Sequence, residues 1–441
     1  MRFAPHTDDD VQAMLVACGL SSIDELFSHI PPKLRLKGEL SVPEGISEME
    51  LVSEMRRLAG RNRHADDLVC FAGGGAYDHY IPSVVWALAG RSEFYTSYTP
   101  YQPELSQGVL QTLFEFQSMI CSLTAMDVSN ASLYDGATAV AEAAHMCRSA
   151  DRARYVVAGG VDPRLVDALR TYGAGAGYTV DVVDAPDGVG GIPASVSQDV
   201  AAVVVQHPNV FGALEDVRAW AEVAHTGGAR LIQVFDPTSL GVLAPPGELG
   251  ADIAVAEGQP LGNHLAFGGP YLGILAARMS DVRRMPGRIV GATVDGEGRT
   301  GYVLTLQARE QHIRREKATS NICTNQTLMA LAATIYLSWL GPEGYRELGE
   351  QCAARAAYAF ERLCAVPGVE PAYPQAAVFK EFALRLSRPA TEVCSRLLDA
   401  GFLAGVPAPW VGPEVLLVAV TEQRTRSQID AFATALAAVL A

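Results

Sequence analysis

Short apolar runs alternate with helical segments through the middle of the chain, and this alternation constrains the fold most strongly. The runs are four to six residues long, which is the length of a strand, and lie at residues 155–158, 179–183, 201–206, 230–235, 252–256 and 272–277. Segments with helical periodicity, such as residues 214–225, separate several of them. Buried strands that alternate with helices form a mainly parallel sheet with helices on both faces. We therefore predict an α/β fold.

The patterns divide the 441 residues into three predicted domains. Residues 1–65 carry short amphipathic patterns and predict an N-terminal helical arm. Residues 66–315 form the large α/β domain, and residues 316–441 form a smaller α/β domain at the C-terminus. Within the smaller domain a helical pattern ends at Gly341 and Pro342, a pair that commonly stops a helix.

Composition and charge exclude several classes of function. The formal net charge of −15 repels phosphate backbones, so we expect no nucleic acid partner. The eight cysteines include no CxxC pair, which argues against a zinc or dithiol site. The first residues, MRFAPHTDDD, lack the pattern of a signal peptide, and the longest apolar stretch, residues 328–340, is too short to span a bilayer. We therefore predict a cytoplasmic protein without a membrane partner.

The segment NASLYDGAT opens a predicted helix and could form an anion site. Gly136, Ala137 and Thr138 would present backbone amides and a hydroxyl at the helix N-terminus, where free N–H groups and the helix dipole stabilise a phosphate group. Asp135 or Ser132 could cap the same helix. The spacing fits a plain capping turn equally well.

Asp236 follows the apolar run at residues 230–235 and stands at the end of a predicted strand. A side chain in this position projects into the crevice where α/β folds bind ligands. In enzymes that use pyridoxal phosphate (PLP), an aspartate of this kind pairs with the pyridinium nitrogen. An Asp-Pro pair that begins a turn explains the residue equally well.

A PLP enzyme also needs a lysine that holds the cofactor as a Schiff base, typically just after the next strand. The segment that follows that strand here, EGQPLGNHLAFGGP, contains no lysine. The whole chain has four lysines, which are Lys33, Lys37, Lys317 and Lys380. Gln259 or His264 is the candidate for the vacant position, and neither an amide nor an imidazole replaces an amine in imine formation. The sequence therefore predicts a cofactor fold without its covalent anchor.

Three tyrosines alternate with threonines and a serine in the segment SEFYTSYTPYQPE, residues 92–104. Pro100 and Pro103 disfavour a helix here, so we expect extended backbone. Hydroxyl groups at this density suit the recognition of a small polar ligand at a cleft. A surface strand with ordinary strand-forming residues is the alternative.

Four segments of the chain resemble the alpha-subunit form of the glycine cleavage system P-protein. They are SEFYTSYTPYQPELSQG (92–108), EGQPLGNHLAFGGPYLG (257–273), RRMPGRIVGATVDGEGRTGYVLTLQAREQHIRREKATSNICTNQ (283–326) and VAVTEQRTRSQID (418–430). The match is collinear over nearly the whole chain. It implies the fold of fold type I PLP-dependent transferases, which are aspartate aminotransferase-like, and a heterotetramer of alpha and beta subunits.

The resemblance also implies a function and partners. A beta subunit would carry the lysine and the PLP, with no cofactor covalently bound to this chain, which would be inactive alone. Together the subunits would decarboxylate glycine and pass the aminomethyl group to the lipoyl arm of the H-protein. Two alternatives stay open, a non-catalytic scaffold subunit and a divergent subunit of a PLP enzyme that acts on another amino acid.

The resemblance further implies three groups of site residues. Residues of the first group would line the cleft at the subunit interface and are Tyr95, Thr96, Tyr98, Thr99, Tyr101 and Glu104. The second group would form a vestigial cofactor pocket and consists of Gly136, Ala137, Thr138 and Asp236. The third group would lie at the interface, or alternatively at a domain hinge, and consists of Lys317, Thr319, Ser320 and Asn321. His207 and His264 depart from the family pattern near the vestigial pocket.

Overall fold

The computed structural model describes residues 5–38 and 40–441. The chain forms two compact units, Met1–Arg63 and His64–Ala441, and each is described by itself. The larger unit contains both the central sheet and the C-terminal sheet. The three-domain division expected from the sequence stays a prediction.

The smaller unit contains two helices that begin at well-formed caps. These helices are α1 (Asp8–Ala17) and α2 (Glu48–Ala59). The Thr7 hydroxyl accepts a hydrogen bond from the Asp10 backbone N–H, and the Ser47 hydroxyl accepts one from the Glu50 N–H. The carboxylates of Asp10 and Glu50 bond back to the capping N–H groups, so each pair forms a capping box. The sequence therefore sets both helix starts locally.

The larger unit is built on a seven-stranded sheet. Its strands and those around it are β1 (Val69–Cys70), β2 (Val128–Ser129), β3 (Arg154–Val157), β4 (Thr179–Val182), β5 (Val200–His207), β6 (Arg230–Phe235), β7 (Ile253–Glu257), β8 (Gly273–Ala277), β9 (Ile289–Val294), β10 (Thr300–Thr305), β11 (Val369–Pro371), β12 (Glu381–Leu386), β13 (Phe402–Leu403), β14 (Val406–Pro407) and β15 (Val415–Ala419). The order across the central sheet is β2-β8-β7-β6-β5-β3-β4. All neighbours from β7 to β4 are parallel, and β8 is antiparallel to β7 and β2. The predicted α/β fold with a mainly parallel sheet is confirmed.

Helices connect and cover these strands. They are α3 (Ser83–Ala89), α4 (Ser92–Tyr95), α5 (Gln107–Thr124), α6 (Gly136–Cys147), α7 (Pro163–Ala176), α8 (Val217–Thr226), α9 (Pro246–Leu249), α10 (Gln311–Arg314), α11 (Thr327–Cys364), α12 (Ala390–Asp399) and α13 (Arg426–Leu440). Helix α6 packs on β5, β6, β7 and β8, so its N-terminus lies at the central sheet. Among the described residues, no helix is both long enough and apolar enough to cross a membrane.

The Gly341-Pro342 pair interrupts helix α11 as predicted, but a second helical stretch follows it directly. Gly341 has φ 60° and ψ −178°, values outside the helical region, so it interrupts the helix as predicted. Pro342 then begins a second helical stretch immediately, because a proline fits the first turn of a helix. The two stretches run on without a loop, and together they span Thr327–Cys364.

The C-terminal sheet, in the order β11-β12-β15-β14, is antiparallel and approaches the central sheet closely at one point. The backbone N–H of Phe379 donates to the Gly212 carbonyl, and Ala213 forms an isolated bridge with Val378. Gly212 has a φ of +76°, and a Cβ atom there would lie 1.6 Å from the Glu381 carbonyl oxygen. A glycine is therefore required at this crossing. This crossing places Lys380 at the edge of the central sheet. Lys380 directly precedes β12.

Candidate functional site

Asp236 stands where β6 ends and pairs with a buried ammonium group. Its Oδ2 atom lies 2.7 Å from the Nζ atom of Lys380, and the Lys380 residue is only 1% exposed. Its Oδ1 atom accepts hydrogen bonds from the Thr238 backbone N–H at 2.9 Å and from the Thr238 hydroxyl at 2.8 Å. Burial acts to raise the pKa of Asp236, but the charge and hydrogen bond of Lys380 outweigh it and hold that pKa below its ordinary value. Asp236 is therefore an anion whose charge is already compensated.

Three polar groups lie within hydrogen-bond distance of the Lys380 ammonium group. Besides Asp236, its ammonium group donates to the Thr238 hydroxyl at 2.8 Å and lies 3.0 Å from Nε2 of His79. Nδ1 of His79 lies 2.7 Å from the Glu422 carboxylate. If Lys380 donates to Nε2, the proton of a neutral His79 is on Nδ1 and is donated to Glu422. The ammonium group thus satisfies all three of its N–H groups inside the protein.

Aromatic and acidic groups complete the surroundings of Lys380. The Nζ atom lies 3.7 Å from the centroid of the Tyr77 ring, a cation–π contact. The Tyr77 hydroxyl donates to Glu381, whose other oxygen accepts the Gly74 backbone N–H at 2.8 Å. Burial raises the pKa of Glu381 to about 7, although both hydrogen bonds oppose this. Burial acts to raise the pKa of Glu422, but the hydrogen bonds that its carboxylate accepts from His79 and from the Tyr80 backbone N–H hold that pKa below its ordinary value.

The backbone N–H groups at the start of α6 find hydrogen-bond acceptors within the protein. Asp135 caps the helix, because its carboxylate accepts the Thr138 backbone N–H at 2.7 Å. The Glu257 carboxylate, at the end of β7, accepts the Gly136 N–H at 2.9 Å. Glu257 also accepts the backbone N–H groups of Gln259 at 2.9 Å and Leu272 at 3.0 Å. Burial raises the pKa of Glu257 to about 7, against these three hydrogen bonds.

One cavity of about 80 Å³ connects the two predicted parts of the vestigial pocket. Its lining includes Gly136, Asp236, Glu257 and Lys380, so the helix start and the strand-end aspartate face the same cavity. Ala137 and Thr138 are not among the residues that line the cavity.

Gln259 lies in the segment after β7, where PLP enzymes typically carry the Schiff-base lysine. It is 2% exposed, and its side-chain oxygen accepts the Tyr77 backbone N–H at 2.8 Å. Its amide nitrogen donates to the carbonyls of Tyr77 at 3.1 Å and Asn263 at 2.8 Å. His264, the other candidate, is exposed and stacks on Trp86 with ring centroids 5.3 Å apart. Of the two candidates, Gln259 is the one that is buried and hydrogen-bonded inside the protein.

Sequence reasoning missed the amine in this pocket. The segment after β7 contains no lysine, and Lys380 reaches the pocket from the other sheet. A weak signal was present, because the charged pair Lys380-Glu381 opens a strand of buried apolar residues and buried charges need partners.

The tyrosine segment lies outside this cavity in the isolated chain. Its expected extended backbone is wrong in part, because residues Ser92–Tyr95 form α4 and Pro103–Leu105 form a 3-10 turn. A helix N-terminal to the two prolines is compatible with them, which sequence reasoning overlooked. Five of the predicted residues are exposed and Thr99 is half-buried; the exposed ones are Tyr95, Thr96, Tyr98, Tyr101 and Glu104. None of them lines the Asp236 cavity.

The third predicted group lies around a different, smaller cavity. Thr319 and Ser320 line it together with Arg309 and Glu310, whereas Lys317 and Asn321 are exposed. His207, one of the two atypical histidines, is buried at the end of β5, and its Nδ1 atom accepts the Glu215 backbone N–H at 3.0 Å. Burial lowers the pKa of His207 to about 4, so it is a neutral structural residue.

Comparisons with known proteins agree with this architecture. The family model described as glycine cleavage system P-protein matches residues 1–436. Proteins named "probable glycine dehydrogenase (decarboxylating) subunit 1" from Desulforamulus reducens and Moorella thermoacetica are each 51% identical to this chain, and each match covers 100% of both sequences.

Solved structures give the same answer. A crystal structure of glycine decarboxylase (P-protein) of the glycine cleavage system, in inhibitor-bound form, is 45% identical, with a TM-score of 0.92 and full coverage of both chains. A sphingosine-1-phosphate lyase from Burkholderia pseudomallei is 16% identical, with a TM-score of 0.66 and coverage of 93% of this chain and 94% of its own, and shares the fold alone. The chain therefore belongs to the glycine cleavage system P-protein family, among its glycine dehydrogenase (decarboxylating) subunit 1 members.

Proposed function

We propose that this chain is the alpha subunit of glycine decarboxylase and is active only with a PLP-bearing beta subunit of the same fold. Together the two subunits decarboxylate glycine and transfer the aminomethyl group to the lipoyl arm of the H-protein. Family membership supports the proposal, and so do the names of the relatives, since "subunit 1" implies a second subunit.

The state of the buried amine is the observation that carries the proposal. Formation of an imine requires a neutral amine that attacks a carbonyl carbon. Lys380 instead forms an ion pair with Asp236 and donates to Thr238 and His79. Gln259 takes the place after β7, and an amide does not form an imine. Neither residue is equipped to hold PLP covalently, so the reactive lysine belongs to the partner.

The tyrosine segment is the part of this chain that we assign to the shared active site. PLP on the partner would supply the electron sink for the loss of carbon dioxide. The hydroxyl groups of Tyr95, Tyr98 and Thr99 would donate to the glycine carboxylate or guide the lipoyl arm. Exposed aromatic rings are typical of interfaces, and the side chain of Tyr98 is 79% exposed in this chain. In the complex these rings would also keep water away from the reacting carbon.

We assign Lys317, Thr319, Ser320 and Asn321 to the subunit interface, with a domain hinge as the alternative. Lys317, Thr319 and Asn321 are exposed, which an interface requires of the free chain. Ser320 caps its own turn, because its hydroxyl accepts the Ile322 backbone N–H at 3.1 Å. A local hydrogen bond of this kind fits either assignment.

Reconstitution tests the proposal. The purified chain, a PLP-loaded candidate partner and the two together are assayed for release of labelled carbon dioxide from glycine, with lipoylated H-protein present. We expect release by the mixture alone, and competition with other amino acids checks that glycine is the substrate. Release by this chain alone would overturn the proposal.

A second experiment separates a shared active site from a scaffold. Tyr95→Phe and Tyr98→Phe each remove one hydroxyl while keeping the ring, and Tyr80→Phe is the control because Tyr80 is similarly exposed outside the segment. In the reconstituted complex we expect the first two to lower kcat/KM for glycine about tenfold, which corresponds to loss of about 1.4 kcal/mol of transition-state stabilisation. Turnover that is unchanged in all three variants would favour a scaffold.

A further inference from the structure

The two charged ends of a PLP molecule have counterparts within this chain. In PLP enzymes an aspartate pairs with the pyridinium nitrogen, and helix N-termini commonly bind phosphate groups. Here the partner of Asp236 is the ammonium group of Lys380, at 2.7 Å. The partner of the α6 N-terminus is the carboxylate of Glu257, at 2.9 Å from the Gly136 nitrogen. An ammonium group and a carboxyl group of the protein therefore stand where the two charged ends of the cofactor would bind.

Neither counterpart is free to move aside at low cost. Lys380 is held by three polar partners and by the face of the Tyr77 ring. Glu257 accepts three backbone N–H groups, and its oxygen atoms serve both the α6 start and the loop after β7. Displacing either group would leave buried polar atoms without partners, which costs more than a typical hydrogen bond contributes.

The space between the two groups is also too small for the cofactor. The cavity they line measures about 80 Å³, whereas pockets for small-molecule ligands measure roughly 300–1,000 Å³. A Cβ atom at Gly136 would lie 2.9 Å from the Glu257 backbone nitrogen, so the helix start is packed tightly against the end of β7. The residues present do not fit PLP.

We propose that this pocket is permanently occupied by the chain's own side chains, with Lys380 in place of the pyridinium ring nitrogen and Glu257 in place of the phosphate. The pocket then rejects the cofactor even as a non-covalent ligand. This inference stands on contacts of this chain alone and goes beyond the proposed function, which concerns the partner's cofactor and catalysis.

The occupied pocket also has a structural role. Asp236 follows β6 of the central sheet, and Lys380 precedes β12 of the C-terminal sheet. Their ion pair therefore joins the two sheets beside the Gly212 crossing, where the Phe379 N–H meets the Gly212 carbonyl. An internal ion pair fixes this contact at all times, whereas a bound cofactor would fix it only when present.

Binding of pyridoxamine 5′-phosphate to the isolated chain tests the exclusion. This probe carries the ring and the phosphate but no aldehyde, so it reports non-covalent binding alone. We expect no binding by the wild-type chain at millimolar probe in calorimetry, and measurable binding by the double variant Lys380→Met/Glu257→Ala. Binding by the wild type would overturn the proposal. Binding by neither chain, with circular dichroism showing that the variant is folded, would overturn it too, because something else would then close the pocket.

A thermal double-mutant cycle tests the ion pair even if the double variant above does not fold. Asp236→Asn and Lys380→Met each leave one buried charge without its partner, so each is expected to lower Tm by several degrees. The combined Asp236→Asn/Lys380→Met variant is expected to recover part of that loss. The exposed pair Arg346 and Glu350, 3.0 Å apart, serves as the control cycle and is expected to be additive. Additive losses at Asp236 and Lys380 would contradict the proposed pairing. The cycle uses the isolated chain, so its outcome is independent of the reconstitution assay.

Discussion

The guanidinium group of Arg288 donates a hydrogen bond to the hydroxyl of Tyr101 at 2.9 Å and lies 5.2 Å from the centroid of the same ring. Arg288 is 2% exposed, and its Nη1 group donates to the side-chain oxygen of Asn325 at 3.3 Å. Tyr101 thus helps to anchor the tyrosine segment to the protein interior, while Tyr98 extends into solvent.

Tyr101→Phe should destabilise the isolated chain through this contact. The variant leaves the Nη2 group of Arg288 without its acceptor, while Nη1 keeps its bond to the Asn325 side-chain oxygen at 3.3 Å. Hydrogen bonds to charged groups contribute roughly 1.5–3 kcal/mol. We expect a loss near the lower end, about 1.5 kcal/mol, because Tyr101 is half-exposed and water replaces part of the bond. Urea unfolding measures it. Tyr98→Phe is the matched control and should change stability by less than about 0.5 kcal/mol; equal effects of the two variants would argue against the anchor.

Glu142 should make stability fall as the pH rises. Burial raises the pKa of this carboxyl from an unfolded value near 4.5 to about 7, against a hydrogen bond from Ser320. Between these two values the folded state binds more protons than the unfolded state, so the free energy of unfolding decreases with rising pH. The loss is complete above the folded value and amounts to something on the order of 3 kcal/mol.

Glu142→Gln removes this titration and is the test of it. Urea unfolding at pH 5 and pH 8 should show a smaller drop for the variant than for the wild type, while Glu361→Gln, on the exposed face of α11, should follow the wild type. The drop of the variant is compared with that of the wild type because the raised pKa values of Glu257 and Glu381 also make stability fall with rising pH, and both proteins contain these residues. An identical drop in wild type and Glu142→Gln would show that Glu142 is not protonated in the folded chain.

Gly212→Ala should be among the most damaging single substitutions in the chain. The added Cβ atom would lie 1.6 Å from the Glu381 carbonyl oxygen, so the crossing between the two sheets must open. Gly177→Ala is the matched control, because Gly177 has a similar φ of +73° and nothing within 4 Å of its Cβ position. The control should cost about 1–2 kcal/mol from backbone strain alone. We expect Gly212→Ala to cost clearly more, or to prevent folding, as measured by soluble yield and thermal melting; equal costs would contradict the close approach.

Local signals explain which parts of the fold the sequence reveals. The six apolar runs correspond to β3 to β8, with ends that coincide or differ by one residue, because a strand of this kind can be recognised from its own apolar residues. Asp135 could be recognised as a cap because it is separated from Thr138 by the spacing that a cap requires. Asp236 was found because a strand end can be read from its apolar run.

The contents of the pocket depend on the tertiary structure. Lys380 lies 144 positions after Asp236 in the sequence, and the two meet beside the Gly212 crossing. No sequence periodicity predicts that contact. Glu257 could be placed at the end of a strand, but its bond to Gly136 depends on how α6 packs against β7. The sequence therefore indicated the absence of a lysine after β7, but it did not reveal that another lysine neutralises Asp236.

Borohydride reduction of the PLP-loaded complex, followed by peptide mass spectrometry of both subunits, tests the central claim most directly. Reduction converts the bond between PLP and its lysine into a stable adduct, so the labelled residue identifies the subunit that holds the cofactor. We predict an adduct on one lysine of the partner and unmodified Lys380 in this chain. An adduct on Lys380 would contradict the account, because it would show that the amine beside Asp236 is a reactive anchor.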